Sequence, residues 1–247
     1  MKTFAATWIT ISLWLISALP SWADCRDIIF ENVPFTVCES DPAISDIRLF
    51  LNDDDGTLLG SFESVNDKLM RKGKVLGFAM NAGMYHPDRR PVGLYIENGI
   101  EVARIVTRAG PGNFGLLPNG VLCLREKFAQ IFESNEFKEN EIICTHATQS
   151  GPMLVINGKL HPRFIPDSDS RFFRNGVGVT TDGLLFAAIS NRPVNFHRFA
   201  RLFRDVLKTP NALFLDGKVS KLYSKDLNRR DFGFPMGPIL GVVQSAE

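Results

Sequence analysis

Apolar residues along this chain fall mostly in short runs cut by glycine, proline, asparagine and aspartate. Ile28-Ile29-Phe30, Phe35-Thr36-Val37 and Ile47-Arg48-Leu49-Phe50 follow one another with Asn32-Val33-Pro34 and Asp41-Pro42 as punctuation, and runs bounded in this way predict strands. The same pattern continues over 75–156. There Asn98-Gly99 between two apolar runs predicts a tight hairpin. Thr181-Asp182-Gly183, between 176–180 and 184–189, predicts another with the Asp-Gly chemistry of a type I′ turn. Leu184-Leu185-Phe186-Ala187-Ala188-Ile189 is apolar on both faces and so belongs at the centre of a sheet. Two stretches carry the helical period. Phe62, Val65, Leu69 and Met70 predict a helix over 61–72, capped by Ser61 and stopped at Gly73. In 195–208, Phe196, Phe199, Leu202, Phe203, Val206 and Leu207 share one face, His197, Arg198, Arg201, Arg204 and Asp205 share the other, and Asn195 caps the start. Many short strands with few helices predict an α+β fold, one domain over 24–247 of mixed, mainly antiparallel sheet with a few packed helices.

The first residues have a different character. Lys2, an apolar stretch from Phe4 to Leu19 and Pro20-Ser21-Trp22-Ala23 match a secretory signal peptide over 1–23, with cleavage after Ala23. The stretch is shorter than the run of about 20 apolar residues that a spanning helix needs, so no membrane anchor is expected. Ser21-Trp22-Ala23-Asp24 ahead of Cys25 lacks the small-residue pair of a lipidation signal. A secreted or periplasmic protein is the expectation. Four cysteines then read as two disulfides, and of the three connectivities Cys25–Cys38 with Cys123–Cys144 closes the shortest loops, each spanning about one hairpin.

Net charge is +1 and the basic residues are scattered, which gives no field for nucleic acid; a small molecule or a polysaccharide is the expected partner. The histidines His86, His146, His161 and His197 form no metal-ligand pattern, and neither metal nor cofactor is expected. Asn52-Asp53-Asp54-Asp55-Gly56 is acidic like a calcium loop but lacks the distal glutamate, and predicts a solvated hairpin turn.

Candidate chemistry sits in three loops at strand ends, each pairing a polar side chain with a glycine. Asp216-Gly217 follows Ala212-Leu213-Phe214-Leu215, Asn81-Ala82-Gly83-Met84-Tyr85 follows Val75–Met80, and Gln149-Ser150-Gly151-Pro152 leads into Met153-Leu154-Val155-Ile156. Glycine at such a place lets backbone approach a ligand closely. With Arg174-Asn175-Gly176-Val177-Gly178 and the helix before Leu215-Asp216-Gly217-Lys218-Val219-Ser220, these motifs resemble the phosphodiester glycosidase family over 75 to the C-terminus. Lys218 stands where that family usually has a second glycine, and Ala82 stands where glycine is common. A lysine there either closes the site against bulky substrates or adds a cation for a phosphate or an acidic sugar.

The resemblance implies cleavage of a sugar–phosphate bond at the anomeric carbon, through an oxocarbenium-like transition state that a carboxylate stabilises. Asp216 is the candidate for that carboxylate, as nucleophile or as base for water, with Asp182 behind it because a hairpin turn already accounts for Asp182. Arg174 is the candidate phosphate-holding cation, and Asn81 the candidate partner of sugar hydroxyls. Gly83 and Gly151 offer backbone N–H groups, Tyr85 and His86 line the sugar face, and Ser150, Gly217 and Ser220 complete the expected substrate contacts. The function expected is an exported hydrolase acting on a sugar-1-phosphodiester in envelope or exopolysaccharide material. The alternative is a non-catalytic saccharide-binding or exopolysaccharide-processing protein of the periplasm, which Lys218 favours.

Overall fold

The structure, a computed structural model, describes residues 24–216 and 219–246. The expected signal segment 1–23 and the positions Gly217 and Lys218 lie outside the described residues.

Hairpins set the local architecture. Asp24–Phe30 turns through Glu31 and Asn32, at φ of 48° and 61°, into Val33–Ser40. Two consecutive positive φ values make a turn whose twist matches that of its strands. Cys25 and Cys38 are opposite one another in this register and are joined by a disulfide. Asn98 and Gly99, at φ of 52° and 78°, turn Tyr95–Glu97 into Ile100–Ala103 as expected. The connection at Asp182 differs, because only Gly183 takes positive φ and Thr180 closes the loop by bonding to Leu184 and Gly183. It is a longer loop than a type I′ turn.

Three sheets result. The large sheet runs, edge to edge, Asp24–Phe30, Val33–Ser40, Leu185–Ser190, Asn175–Val179, Asn211–Phe214, Met153–Ile156, Lys159–Leu160. A second runs Arg229–Arg230, Leu222–Ser224, Lys74–Asn81, Ile239–Ser245, Asp46–Phe50. A third runs Ile100–Ala103, Tyr95–Glu97, His146–Ser150, Gly120–Arg125, Phe128–Glu133. Every pairing within them is antiparallel, so the sheet is not mixed, and strands outweigh helices more than an α+β label suggests. Leu185–Ser190 is fully buried and interior to the large sheet, in keeping with its apolar run.

One core serves all three sheets. Phe78, Met80 and Leu240 of the second meet Tyr95, Leu122 and Ile131 of the third and Val177, Leu185 and Leu213 of the large one. The other face of the large sheet is covered by a helix at the expected place, with Asn195 accepting a bond from Arg198 N at its start. That helix is α over Phe196–Arg201 and widens to a π-helix over Leu202–Val206, closed by Leu207 N donating to Leu202 O at 3.0 Å. A Cβ on Gly178 would stand 2.7 Å from Phe203 Cδ1 and 2.6 Å from Thr209 Oγ1, so a bare backbone there is what admits the helix. Phe62–Met70, capped by Ser61 as expected, covers the second sheet through Phe62, Val65 and Leu69.

Some local expectations need adjustment. Cys123 does pair with Cys144, but the bracket holds the strand Phe128–Glu133 and a helix Ser134–Glu139 rather than one hairpin. That helix buries only Ser134 and Phe137, too few residues for a periodic signal, and its cap is the side chain of Glu133. In the acidic turn, Asp53 and Asp54 are ion-paired with Lys68 and Arg71 rather than merely solvated. Among the described residues no helix is long and apolar enough to cross a membrane.

His146, 5% exposed, gives a test of the core's pH response. Its Nδ1 accepts from Asn98 N, which requires an unprotonated nitrogen, and burial first, with Arg48 second, lowers its pKa to about 4. A depressed histidine pKa means that the unfolded chain binds the proton more readily. Stability is therefore complete above about pH 6.5 and falls as pH drops from there towards 4, by about 3 kcal/mol from this group at most. Urea unfolding of wild type and His146→Gln between pH 7 and 4 should show a flatter profile for the variant.

Candidate active site

The antiparallel register of Asn175–Val179 with Asn211–Phe214 sets Gly176 opposite Phe214, so the head of one strand adjoins the exit of the other. There Asn175 grips the chain leading to Asp216: Leu215 N donates to Asn175 O at 3.2 Å and Asp216 N to Asn175 Oδ1 at 3.1 Å. Because Oδ1 accepts from a backbone N–H, Nδ2 must be the donor on the other side, and it reaches Asn81 Oδ1 at 2.7 Å. Asn81, the last residue of Lys74–Asn81, also accepts from Lys221 N at 3.0 Å through the same oxygen. Ser150, at the end of the third sheet's strand His146–Ser150, donates to Leu215 O at 2.6 Å. All three sheets thus tie into the two residues Leu215 and Asp216.

Beside Asp216 opens a cleft of about 600 Å³ lined by Met84, Tyr85, His86, Arg89, Asp216 and Phe234, among others. Two buried donors lack hydrogen-bond partners among the described residues, Asn81 Nδ2 and Tyr85 OH. Burial, and next the negative charge of Asp216, push the Tyr85 phenol up to about 12 against the opposing charge of Arg89. The phenol therefore keeps its proton at physiological pH and is a donor. The Arg89 guanidinium stands 5.5 Å from the Tyr85 ring centre, at a residue with φ of 73°.

Of the residues expected from sequence, Tyr85, His86 and Asp216 line the cleft together. Asn81 is fully buried and off the cleft wall, linked to Asp216 N through Asn175 rather than open to a sugar, and Ser150 is a peg under Leu215 rather than on the open face. Ser220 Oγ lies 3.1 Å from Asp216 O and 3.3 Å from Phe173 O, so its one O–H is shared between these two carbonyls. Other expectations need correction. Gly83 N donates to Thr148 Oγ1, and a Cβ on Gly83 would lie 2.5 Å from Gln149 O, so this glycine serves packing and its N–H is taken. Gly151 is also tightly packed, with Asn119 Cβ 2.7 Å from where a Cβ would be, which accounts for a glycine there without a ligand. Asp182 lies in the turn beyond Val179, at the opposite end of the strand that begins with Asn175, a strand length of about 15 Å away.

Arg174 is the largest correction. Strand alternation places its side chain on the helix-covered face, opposite to that of Asn175. It is 1% exposed, Nε donates to Val194 O and Nη2 to Ser170 O, and the guanidinium carbon stands 3.5 Å from the Phe196 ring centre with Phe214 and Phe172 farther out. Burial lowers its pKa to about 10, still well above neutrality. It is a structural cation held by carbonyls and aromatic faces, not a group that meets a ligand in the cleft. The residues that sequence reasoning passed over are Asn175, Arg89 and Phe234. Asn175 had a usable signal, a polar residue in step with Val177 on the inward face of an apolar strand. Arg89, within Pro87-Asp88-Arg89-Arg90, had none beyond a turn.

Comparison with known proteins follows the same lines. The phosphodiester glycosidase family profile matches residues 75–243. The uncharacterized protein YigE of Escherichia coli is 33% identical over 213 residues, spanning 85% of this chain and 83% of that protein. The catalytic domain of zebrafish N-acetylglucosamine-1-phosphodiester alpha-N-acetylglucosaminidase, auto-inhibited by its pro-peptide, superposes with a TM-score of 0.61 at 14% identity, over 89% of this chain and 81% of that one. A hypothetical protein from Synechocystis gives a TM-score of 0.58 at 13% identity, over 89% of this chain and 61% of that one. At such identities the likeness to the two solved structures is one of fold.

A buried Arg174 predicts a stability defect. Arg174→Ala should lower the unfolding free energy by about 3 kcal/mol, through lost packing and the orphaned Val194 and Ser170 carbonyls. Any loss of ligand binding should track the folded fraction in denaturant titrations. Weakened binding by a variant of wild-type stability would return Arg174 to the cleft.

Proposed function

The chain belongs to the phosphodiester glycosidase family, and from that premise we propose that it is an exported hydrolase cleaving the glycosidic bond of a sugar-1-phosphodiester in envelope or exopolysaccharide material. The observation that carries the reading is the Asp216 carboxylate in a cleft whose wall also holds Tyr85, a buried hydroxyl with no protein partner among the described residues. Buried donors are nearly always satisfied, so the Tyr85 hydroxyl at the cleft wall calls for an acceptor, and sugar hydroxyls and phosphate oxygens are acceptors. The zebrafish structural relative is named for such a bond to N-acetylglucosamine, and that sugar is the natural first probe. Two disulfides support an extracytoplasmic site of action.

In this reading Asp216 meets the positive charge that develops at the anomeric carbon, as nucleophile or as base for water. The C1–O bond breaks, its electrons leave on the phosphate monoester, and water supplies the hydroxyl that ends on C1. A phosphate leaving group is a weak base and needs little protonation, so a hydrogen bond from the Tyr85 phenol suffices to hold it. Arg89, on the wall of the same cleft, is the cation placed for its charge, the role that sequence reasoning gave to Arg174. Asn175 touches no substrate. It sets where Asp216 stands.

Hydrolysis of methyl N-acetyl-α-D-glucosaminyl phosphate by the mature protein tests this. Asp216→Asn should lower kcat by about 10³-fold with KM nearly unchanged, because its charge acts on the transition state alone. Arg89→Ala meets a charge already present in the bound diester and should raise KM as well as lower kcat, by about 2–4 kcal/mol in kcat/KM. Equal turnover by wild type and Asp216→Asn would move the chemistry elsewhere. Saccharide binding by both with turnover by neither would make the cleft a binding site, the reading that Lys218 favours.

A further inference from the structure

A second hollow of about 630 Å³ adjoins the cleft, since Val219 and Phe234 line both. Its walls are two segments, 171–173 and 230–234, and its floor is 219–221. Four phenylalanines at this groove are turned to solvent: Phe172 and Phe173 are 55% and 51% exposed, Phe232 and Phe234 95% and 80%. Single exposed apolar side chains are ordinary, but four gathered along one concave surface form a patch that a ligand covers. The charges there are predominantly positive. Arg171, Lys221 and Arg230 line the groove, and the acid among them, Asp231, is engaged by Arg229 at 2.8 Å and by Leu222 N. Lys221, 9% exposed, donates from Nζ to Phe234 O at 2.6 Å and so ties the 230–234 wall to the floor.

Aromatic faces carry partial negative charge and attract the C–H faces of pyranose rings, while guanidinium groups donate hydrogen bonds to phosphate oxygens. We propose that this groove is a subsite for the alcohol side of the diester, and that the substrate class is an anionic oligosaccharide or polysaccharide whose chain continues past the scissile phosphate, stacking on Phe173 and Phe232 with a phosphate or acidic sugar at Arg171 and Arg230. This rests on reading the Asp216 cleft as a sugar-1-phosphodiester site. Continuity with that cleft favours a glycan over other polyanions, since the same molecule then occupies both.

The test compares two diesters of N-acetyl-α-D-glucosamine 1-phosphate, one to methanol and one to O-6 of the terminal residue of maltotetraose. Phe173→Ala/Phe232→Ala should raise KM for the long diester at least tenfold and KM for the methyl diester less than twofold; Arg171→Glu should add a salt-sensitive loss on a maltotetraose carrying a second phosphate. Equal changes on both diesters, or none on either, would overturn the subsite. Should wild type cleave neither, the reading of the cleft fails, and calorimetric binding of the long diester decides the groove separately. Tenfold weaker binding by the double variant then supports it, and equal or absent binding overturns it. Tighter binding of a 12-mer oligonucleotide or of anionic vesicles, lost in the same variant, would reassign the groove to those partners. Phe232→Ala alone, at an almost fully exposed residue, serves if the double variant is unstable.

Discussion

The amide pair Asn81–Asn175 is the contact on which the arrangement of the cleft depends. Both side chains are fully buried, each belongs to a different sheet, and the bond between them crosses the seam. Asn81 gathers Lys221 N on the second sheet's side, and Asn175 gathers Asp216 N on the large sheet's side. Each such bond contributes about 1 kcal/mol net, whereas breaking one inside the protein leaves an orphaned polar group that costs about 1–3 kcal/mol. The asymmetry makes the pair a device for precision more than for stability. The position of the Asp216 backbone follows from three hydrogen bonds in series, and a side chain rooted there inherits their geometry.

Local features of the chain were legible because their causes are local. The Asn98-Gly99 turn, the Ser61 and Asn195 caps and the apolar strand Leu185–Ser190 each follow from a few adjacent residues. The order of strands in the sheets was not legible, because it is set by pairings between distant segments. Arg174 and Asn175 show what this does to a site. The motif holding them was found, but which of two neighbours faces the cleft depends on which face of the sheet the helix covers and which face the common core fills. A guanidinium was expected at the ligand and an asparagine stands behind it instead. Asp182 failed for a related reason, since its strand delivers one end to the cleft and the other to a distant turn. Arg89 was invisible because a charged turn looks alike wherever its loop folds back.

Arg174 also shows that a buried cation needs no carboxylate when its field is spread over several weak acceptors. Two carbonyl oxygens and the Phe196 face take that place, and a delocalised, weakly hydrated guanidinium tolerates the exchange where an ammonium would not. The arrangement keeps this part of the core independent of the protonation of any acid. It also leaves the cleft with a different positive group, nearer the surface and on a loop free to differ from one relative to another.

The strand pairing reaches far along the chain, and this bears on how the protein comes to be folded at all. Val33–Ser40 lies against Leu185–Ser190, with Asn191 bonding to Thr36 across 155 positions, and Ile239–Ser245 is inserted between Lys74–Asn81 and Asp46–Phe50. Neither sheet can close until its late strand has been synthesised. Topologies so dominated by distant contacts fold slowly, on millisecond to second scales. A polypeptide still emerging from the ribosome would therefore have little beyond hairpins to hold it. Cys25–Cys38, which joins facing positions of one hairpin, is the exception: in an oxidising medium it can close as soon as that hairpin forms, well before the rest has a shape.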